Sequence, residues 1–382
     1  MTNATVIKTA PTNSGVLPCQ TIRVMLQSGE ITAENIQPDQ IQPASLDLRL
    51  GTHAYPVDTS FLPGAQMTVL QKMEQLDNRF DNFKINLRDG AVLEKGRVYL
   101  VPLLEQIDLK DGIAGFANPK SSTGRLDILT RLISDRGTAF DQVEAGYSGK
   151  LYVEIVPRTF SVVVKTGTRL NQMRFSRARD ASSSIAPSEW KRLLDEGQIV
   201  QLDKDERKLS EQTGILRFTV DLKGDGLLIG YRAKRHAKRI DLERRDYDPA
   251  EFWEPIHVGK TPSLVLDPNE FYILTTKEAV AIPPDYAAEM VPYDTRAGEF
   301  RVHYAGFFDP GFGWSEQTGK AGSSKAVLEV RSHEVPFLLE HGQTVGWLRF
   351  ERMAARPDKL YGEGSNYQGQ RLKLAKQFRN TQ

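Results

Sequence analysis

The stretch EAGYSGKLYVEI (144–155) decides the fold, because a second version of it, FDPGFGW (308–314) followed by KAVLEV (325–330), lies further along the chain. Both versions place a glycine turn ahead of a short apolar strand with one glutamate at its centre, Glu154 in YVEIV and Glu329 in VLEVR. Working outward, the match continues. Upstream stand LEKGRVYLVPLLEQIDL (93–109) and LDPNEFYILTTKEAVAI (266–282), then PKSSTGR (119–125) and PYDTRAG (292–298). Downstream stand VKTGTRLNQMRF (164–175) and LEHGQTVGWLRF (339–350). Glu154 and Glu329, Gly167 and Gly342, and Phe175 and Phe350 are each separated by the same 175 residues. Self-similarity at one fixed offset marks duplicated architecture. Two homologous domains are expected, of which only the first keeps a hydroxyl-rich loop.

The text around these landmarks is mainly β. RVYLVPLL (97–104), KLYVEIV (150–156) and FSVVVK (160–165) are short runs punctuated by Gly, Pro, Asn and Asp. Strands this close together, without crossover helices, predict an antiparallel sandwich or barrel. IQPASLDLRLG (41–51) alternates Leu46, Leu48 and Leu50 with Asp47 and Arg49, which predicts a half-buried strand. TIRVMLQSGEI (21–31) has helical spacing, stopped by Gly29. The expected organisation is a loose tail over 1–18, a first β domain over 19–178, a connector over 179–214, a second β domain over 215–353 and a C-terminal segment over 354–382. The connector carries one helix in SEWKRLLDEGQIV (188–200), followed by the charged run DKDERK (203–208). The Gly-, Gln- and Tyr-rich end is either disordered or a lid that orders over a ligand.

Composition removes several function classes. The 382 residues are enough for two ordinary cores, and 50 basic against 49 acidic residues leave no global field to attract nucleic acid or an anionic membrane. The basic stretch YRAKRHAKRIDLERR (231–245) reads as a solvated face. No apolar run approaches the roughly 20 residues of a membrane span, and the polar N-terminus does not resemble a secretory signal. A single cysteine, Cys19, fits a reducing, cytoplasmic setting. The six histidines form no HxE or HExxH pattern and there is no CxxC, so the zinc route to deamination lacks its ligands. There is no P-loop and no GxGxxG after a strand.

PKSSTGR is the chemically equipped segment. Ser121, Ser122, Thr123 and Gly124 gather hydroxyls and backbone N–H groups in a tight turn flanked by Lys120 and Arg125, a set suited to phosphate oxygens or simply a turn. Glu154 and Glu329, each central in an apolar strand, either face solvent or are buried with a raised pKa. The hairpins GTAFDQVEAGYSG (137–149) and HYAGFFDPGFG (303–313) can each cup a flat ring. Ala139 or Gly311 would lie close to it, and Glu144 or Asp309 would reach a sugar hydroxyl.

Taken together, QPASLDLRLG, PKSSTGRL, TAFDQVEAGYSGKLYVEI, TGTRLNQMRF and KLYGEGSNYQGQ resemble the dCTP deaminase branch of the dUTPase-like superfamily. The doubled length resembles its two-domain form. The resemblance implies two tandem distorted jelly-roll β-barrels and a homo-oligomer with active sites at domain or subunit interfaces. It implies hydrolytic deamination of dCTP to dUTP and ammonia, with Mg²⁺ accompanying the triphosphate and no catalytic metal. Ser121, Ser122 and Arg125 would contact phosphate and the reacting water, and Glu154 or Glu329 would carry the proton. Tyr367, Gln368 and Gln370 would belong to the lid.

Departures from the pattern divide the site. Where the first domain has Lys120-Ser121-Ser122 the second reads Val291-Pro292-Tyr293, with Arg296 in the place of Arg125. The first domain reads Glu144-Ala145-Gly146 where the family's Asp-Pro-Gly survives as Asp309-Pro310-Gly311 in the second, ahead of an insertion, SEQTGKAGSSK (315–325). Either the first domain lends its loop to the hairpin and Glu329 of the second, or it supplies a whole site and the second is structural. A bifunctional enzyme taking dCTP to dUMP and a non-catalytic nucleotide binder are the alternatives in function.

Overall fold

The computed structural model describes residues 14–379, apart from 111, 178–184, 201, 203, 225, 293–299, 304–305, 323, 333, 363–366 and 368. In the first domain the strand Ser148–Pro157 pairs antiparallel with Val98–Asp108 on one side and Ile128–Ser134 on the other. A facing sheet centres on Arg169–Arg177, flanked by Ile113–Pro119 and Leu46–Arg49. Alternation along Ser148–Pro157 turns Leu151, Val153 and Ile155 inward, where they meet Leu48, Met173 and Phe175 of the facing sheet.

The second domain repeats the plan. Lys325–Ser332 lies between Phe271–Ala279 and Phe300–His303. Thr344–Arg352 lies between Ile215–Thr219 and Tyr286–Pro292. Leu274, Leu328, Val330 and Phe350 fill the space between these sheets. The expected mainly β architecture is therefore what the sequence builds.

The two domains are fused rather than tethered. Ile240–Asp241, from the second half, pairs in parallel with Val162–Val164 of the first. Phe160 meets Phe252 and Trp253 edge-on, with ring centroids 5.8 and 5.6 Å apart. Phe271, Ile273 and Val327, on the outer face of the second domain's sheet, are buried in the first domain's core cluster. Each such side chain removed from water stabilises the arrangement by about 1.5–3 kcal/mol.

Four expectations change. First, the end of the supposed loose tail is structured: Gly15–Val16 pairs with Arg177 and Ser176, and Val16 bridges to Met353. Gly15 sits at φ 125, with Arg352 O 2.5 Å from where a Cβ would lie, so no larger residue fits. Second, the connector carries two helices, Pro187–Asp195 and Lys204–Thr213. The charged run opens the second helix, braced by an Arg207–Glu211 pair at 2.9 Å, while Trp190 Nε1 donates to Ser210 Oγ at 2.8 Å and locks the two together. Trp190, Leu193 and Leu194 are part of the second core. Third, Leu46–Arg49 is buried on both faces, because Arg49 pairs with Glu105 at 2.7 Å and Asp47 with Lys120 at 2.5 Å. Fourth, the C-terminal segment returns to the core, where Leu374, Ala375 and Phe378 are buried.

Candidate functional site between the domains

Pro119 is the last residue of its strand in register with Arg169–Arg177, and Lys120 N still donates to Leu170 O at 2.9 Å. The chain then coils into the helical turn Ser121–Gly124. The turn buries Thr123, whose Oγ1 donates to Leu170 O at 2.9 Å, and leaves Ser121 at the surface of a cleft. Arg125, next in sequence, is only 3% exposed. Its Nη2 donates to Gln370 Oε1 at 2.8 Å, its Nη1 donates to Lys373 O at 2.9 Å, and Tyr367 stacks on the guanidinium at 3.9 Å. The C-terminal segment thus fastens onto the first domain's loop. Gln370 Nε2 also donates to Lys325 O at 3.1 Å, tying the same segment to the second domain's strand.

That strand presents Glu329, which is 6% exposed. Burial pushes its carboxyl up to about 8, against the opposing pull of Arg125. Arg125 Nε lies 4.0 Å from Glu329 Oε1 and has no hydrogen-bond partner among the described residues. The separation is too long for a direct hydrogen bond, so donor and carboxyl each keep capacity for a third group. Beside them Asp309, also buried and held up by desolvation, is met by Arg174 at 3.3 Å. Arg174 in turn donates to Ala288 O at 3.1 Å and lies 4.0 Å over the Phe307 ring. The hairpin tip at Gly311, φ 94, presses on the C-terminal segment so closely that a Cβ would come within 2.8 Å of Tyr361 N.

These groups surround a cavity of about 380 Å³, which takes in Ser121, Ser122 and Gly124 from the first domain, Asp309 and Glu329 from the second, and Tyr367 and Gln370 from the end of the chain. Lys120, Arg169, Arg245 and Lys376 line its other end. Burial lowers the Lys376 ammonium's pKa, and Lys120 and Arg245 lower it further. Cations that repel one another at a cavity wall suit an anionic guest. The sequence reading missed Arg169, Arg245, Lys376 and Arg174. Arg245 stood in the basic stretch read as a solvated face.

Other candidates lie elsewhere. Glu154 is buried, but Arg131 Nε and Nη2 donate to its Oε1 at 2.9 and 2.5 Å, and it does not line the cavity. Arg131 stacks 3.9 Å over Phe140. Glu144 is exposed and Ala139 half-buried in the loops on that side, both away from the cavity. Gln368, Tyr293 and Arg296 lie outside the described residues.

Comparison with known proteins gives the family. Residues 13–179 match the family model of the 2'-deoxycytidine 5'-triphosphate deaminase (DCD) N-terminal domain, and residues 186–378 match that of the C-terminal domain. The structure resembles the crystal structure of 2'-deoxycytidine 5'-triphosphate deaminase from Agrobacterium tumefaciens, with TM-score 0.81 and 46% identity, covering 91% of this chain and 100% of that one. A protein named "dCTP deaminase, dUMP-forming" from Beutenbergia cavernae is 28% identical over 181 residues, 44% of this chain and 89% of its own length. A "dCTP deaminase" from Natronomonas pharaonis is 28% identical over 192 residues, 49% of this chain and 90% of its own. With both halves matched in order, the chain belongs to the two-domain branch of the 2'-deoxycytidine 5'-triphosphate deaminase family.

Proposed function

We propose that the chain hydrolyses the exocyclic C–N bond of dCTP, giving dUTP and ammonia, at the cavity between its two domains. The observation carrying this reading is Arg125 Nε, without a hydrogen-bond partner among the described residues, facing the raised Glu329 carboxyl. A water held between them would lose a proton to the ionised form of Glu329 while its oxygen bonds to C4 of cytosine. Glu329 then passes that proton to the exocyclic nitrogen as the C4–N bond breaks and ammonia leaves. A carboxyl poised near neutrality suits both transfers. Arg125, made rigid by Gln370, Lys373 and Tyr367, would hold the water and balance the ionised Glu329. Asp309, oriented by Arg174, would accept from the sugar hydroxyl.

The triphosphate would lie on Lys120, Ser121, Ser122, Arg169, Arg245 and Lys376. No three His, Cys, Asp or Glu side chains among the described residues converge to hold a metal. Mg²⁺ would therefore be held by the phosphates and water. The homo-oligomeric state expected of the family belongs to this reading as well, although the site proposed here lies between domains of one chain.

A second reading is favoured by relatives named dUMP-forming. In it a second water displaces pyrophosphate from the deaminated nucleotide. Incubation with dCTP and Mg²⁺, resolved by ion exchange and assayed for ammonia, separates the two. Equal dUTP and ammonia support the first, and dUMP with pyrophosphate supports the second. Intact dCTP would overturn both and leave a nucleotide binder.

A further inference from the structure

Two residues beyond the pair that faces the cavity stands a second pair with its charges reversed. Arg125 is followed at i+2 by Asp127, and Glu329 at i+2 by Arg331. Residues i and i+2 of a strand share a face, so Arg331 leaves the sheet on the side of Glu329. Arg331 Nη2 donates to the Asp127 carboxylate and, at 3.0 Å, to Thr159 Oγ1. Thr159 Oγ1 donates to Asp127 Oδ2 at 2.5 Å. Arg331 Nη1 donates to Asn269 O. Asp127 is completely buried and Arg331 nearly so. Asp127 also has φ 54, a left-handed backbone that few non-glycine residues adopt.

We infer that Asp127 and Arg331 are positioning residues that lock the strand of Glu329 against the loop of Arg125 and set the charge balance felt by Glu329. The inference rests on Glu329 being the proton carrier. A buried ion pair that crosses the domain interface in register with the reacting pair fixes the spacing of that pair, because neither partner can leave without stranding a charge. The pair also acts electrostatically. Among the described side chains, Arg125, Asp127 and Tyr367 interact electrostatically with Glu329, and Asp309 shares its cavity. Arg125 favours the ionised carboxylate, and Asp127 opposes it. Arg331, paired with Asp127, works against that charge.

The test is kcat/KM for dCTP against pH, with thermal melts, in the full chain carrying Asp127→Asn, Arg331→Gln, both together, Arg331→Lys, and Glu329→Gln. In the wild type the rate rises with pH as free Glu329 ionises. Asp127→Asn leaves Arg331 unopposed, and the rise moves to lower pH. Arg331→Gln removes the cation paired with Asp127, and the rise moves to higher pH. Each displacement should be about half a pH unit or more for buried charges at this range. The double variant should return the rise to its wild-type position. Arg331→Lys keeps the charge but loses the fork, so kcat falls with the rise in place.

A structural pair without influence on Glu329 would lower activity in all variants and leave the rise unmoved, and that result overturns the inference. Displacement of the two single variants in the same direction also overturns it. Should Arg331→Gln fail to fold, the direction seen in Asp127→Asn decides, since asparagine tolerates the same backbone. Turnover retained by Glu329→Gln would instead remove the proposed function, and this inference with it.

Discussion

Replacing Glu329 with glutamine should remove turnover and stabilise the protein, and the two effects have one cause. The ordinary pKa of this carboxyl is 4.5, and burial in the folded protein pushes it up to about 8. Between those two values the folded chain binds a proton that the unfolded chain does not. Stability therefore falls as pH rises from 4.5 towards 8, the sign expected for an acid whose folded pKa is raised. The cost of holding that proton is on the order of 3 kcal/mol at pH 7 and about 1 kcal/mol at pH 5, at 1.36 kcal/mol per unit of pKa difference. Glutamine fills the same space and carries no such cost.

Thermal unfolding of the two proteins at pH 5, 6, 7 and 8 should show Glu329→Gln gaining on wild type as pH rises. Ammonia release at saturating dCTP should fall about 10²- to 10⁴-fold, the range that a lost general acid–base group accounts for. A stability gap that is equal at pH 5 and pH 8 would refute the idea that Glu329 takes up a proton on folding. A variant that turns over normally would refute its role as proton carrier.

Glu154→Gln should behave in the opposite way, losing about 1–2 kcal/mol because Arg131 is stranded while partly exposed, with kcat within about threefold of wild type; thermal melts and the ammonia assay check both. Arg174→Met should cost about 3–5 kcal/mol by leaving Asp309 buried without its cation, and dCTP should raise the melting temperature of the variant much less than that of the wild type. Gln370→Ala frees Arg125 Nη2 and cuts the tie to Lys325, so KM should rise and kcat fall together by a total of about tenfold in kcat/KM. Lys376→Gln should weaken dCTP binding and flatten its salt dependence, measured by calorimetry from low to high ionic strength.

The duplication was legible because a 175-residue offset survives in local text. What was not legible is which glutamate faces the cavity, since YVEIV and VLEVR differ in nothing that marks a site. Cross-strand register decides it. Glu154 lies directly opposite Arg131, which neutralises it, whereas Ile273 and His303 are the strand partners of Glu329. Register is a long-range property, although the arginine in ILTRLIS (128–134) was a signal that could have been weighed. Arg245 and Lys376 were hidden for a similar reason, being brought to one cavity from segments more than a hundred residues apart. The C-terminal segment reads as polar text, and Phe378 is anchored by Tyr247, Phe252 and Trp253, which no local pattern connects to it.

The same sheet face has met two different fates in the two domains. In the first domain the face carrying Tyr152 and Glu154 is covered by the domain's own helix Val69–Leu76, with Val69 and Met73 packed against Leu100, Ile133 and Tyr152. In the second, the face carrying Val327, Glu329 and Arg331 is covered by the first domain, whose core takes in Val327 and Ile273 and whose loop brings Arg125 and Asp127. In the first domain the carboxylate is paired by Arg131 of the neighbouring strand and the face is closed by the domain's own helix. A cover supplied across an interface leaves a cavity at the seam, and here the seam falls between Arg125 and Glu329. The charge reversal at Asp127 and Arg331 keeps that seam in register, which ties the chemistry proposed for Glu329 to the fusion of the two domains in one chain.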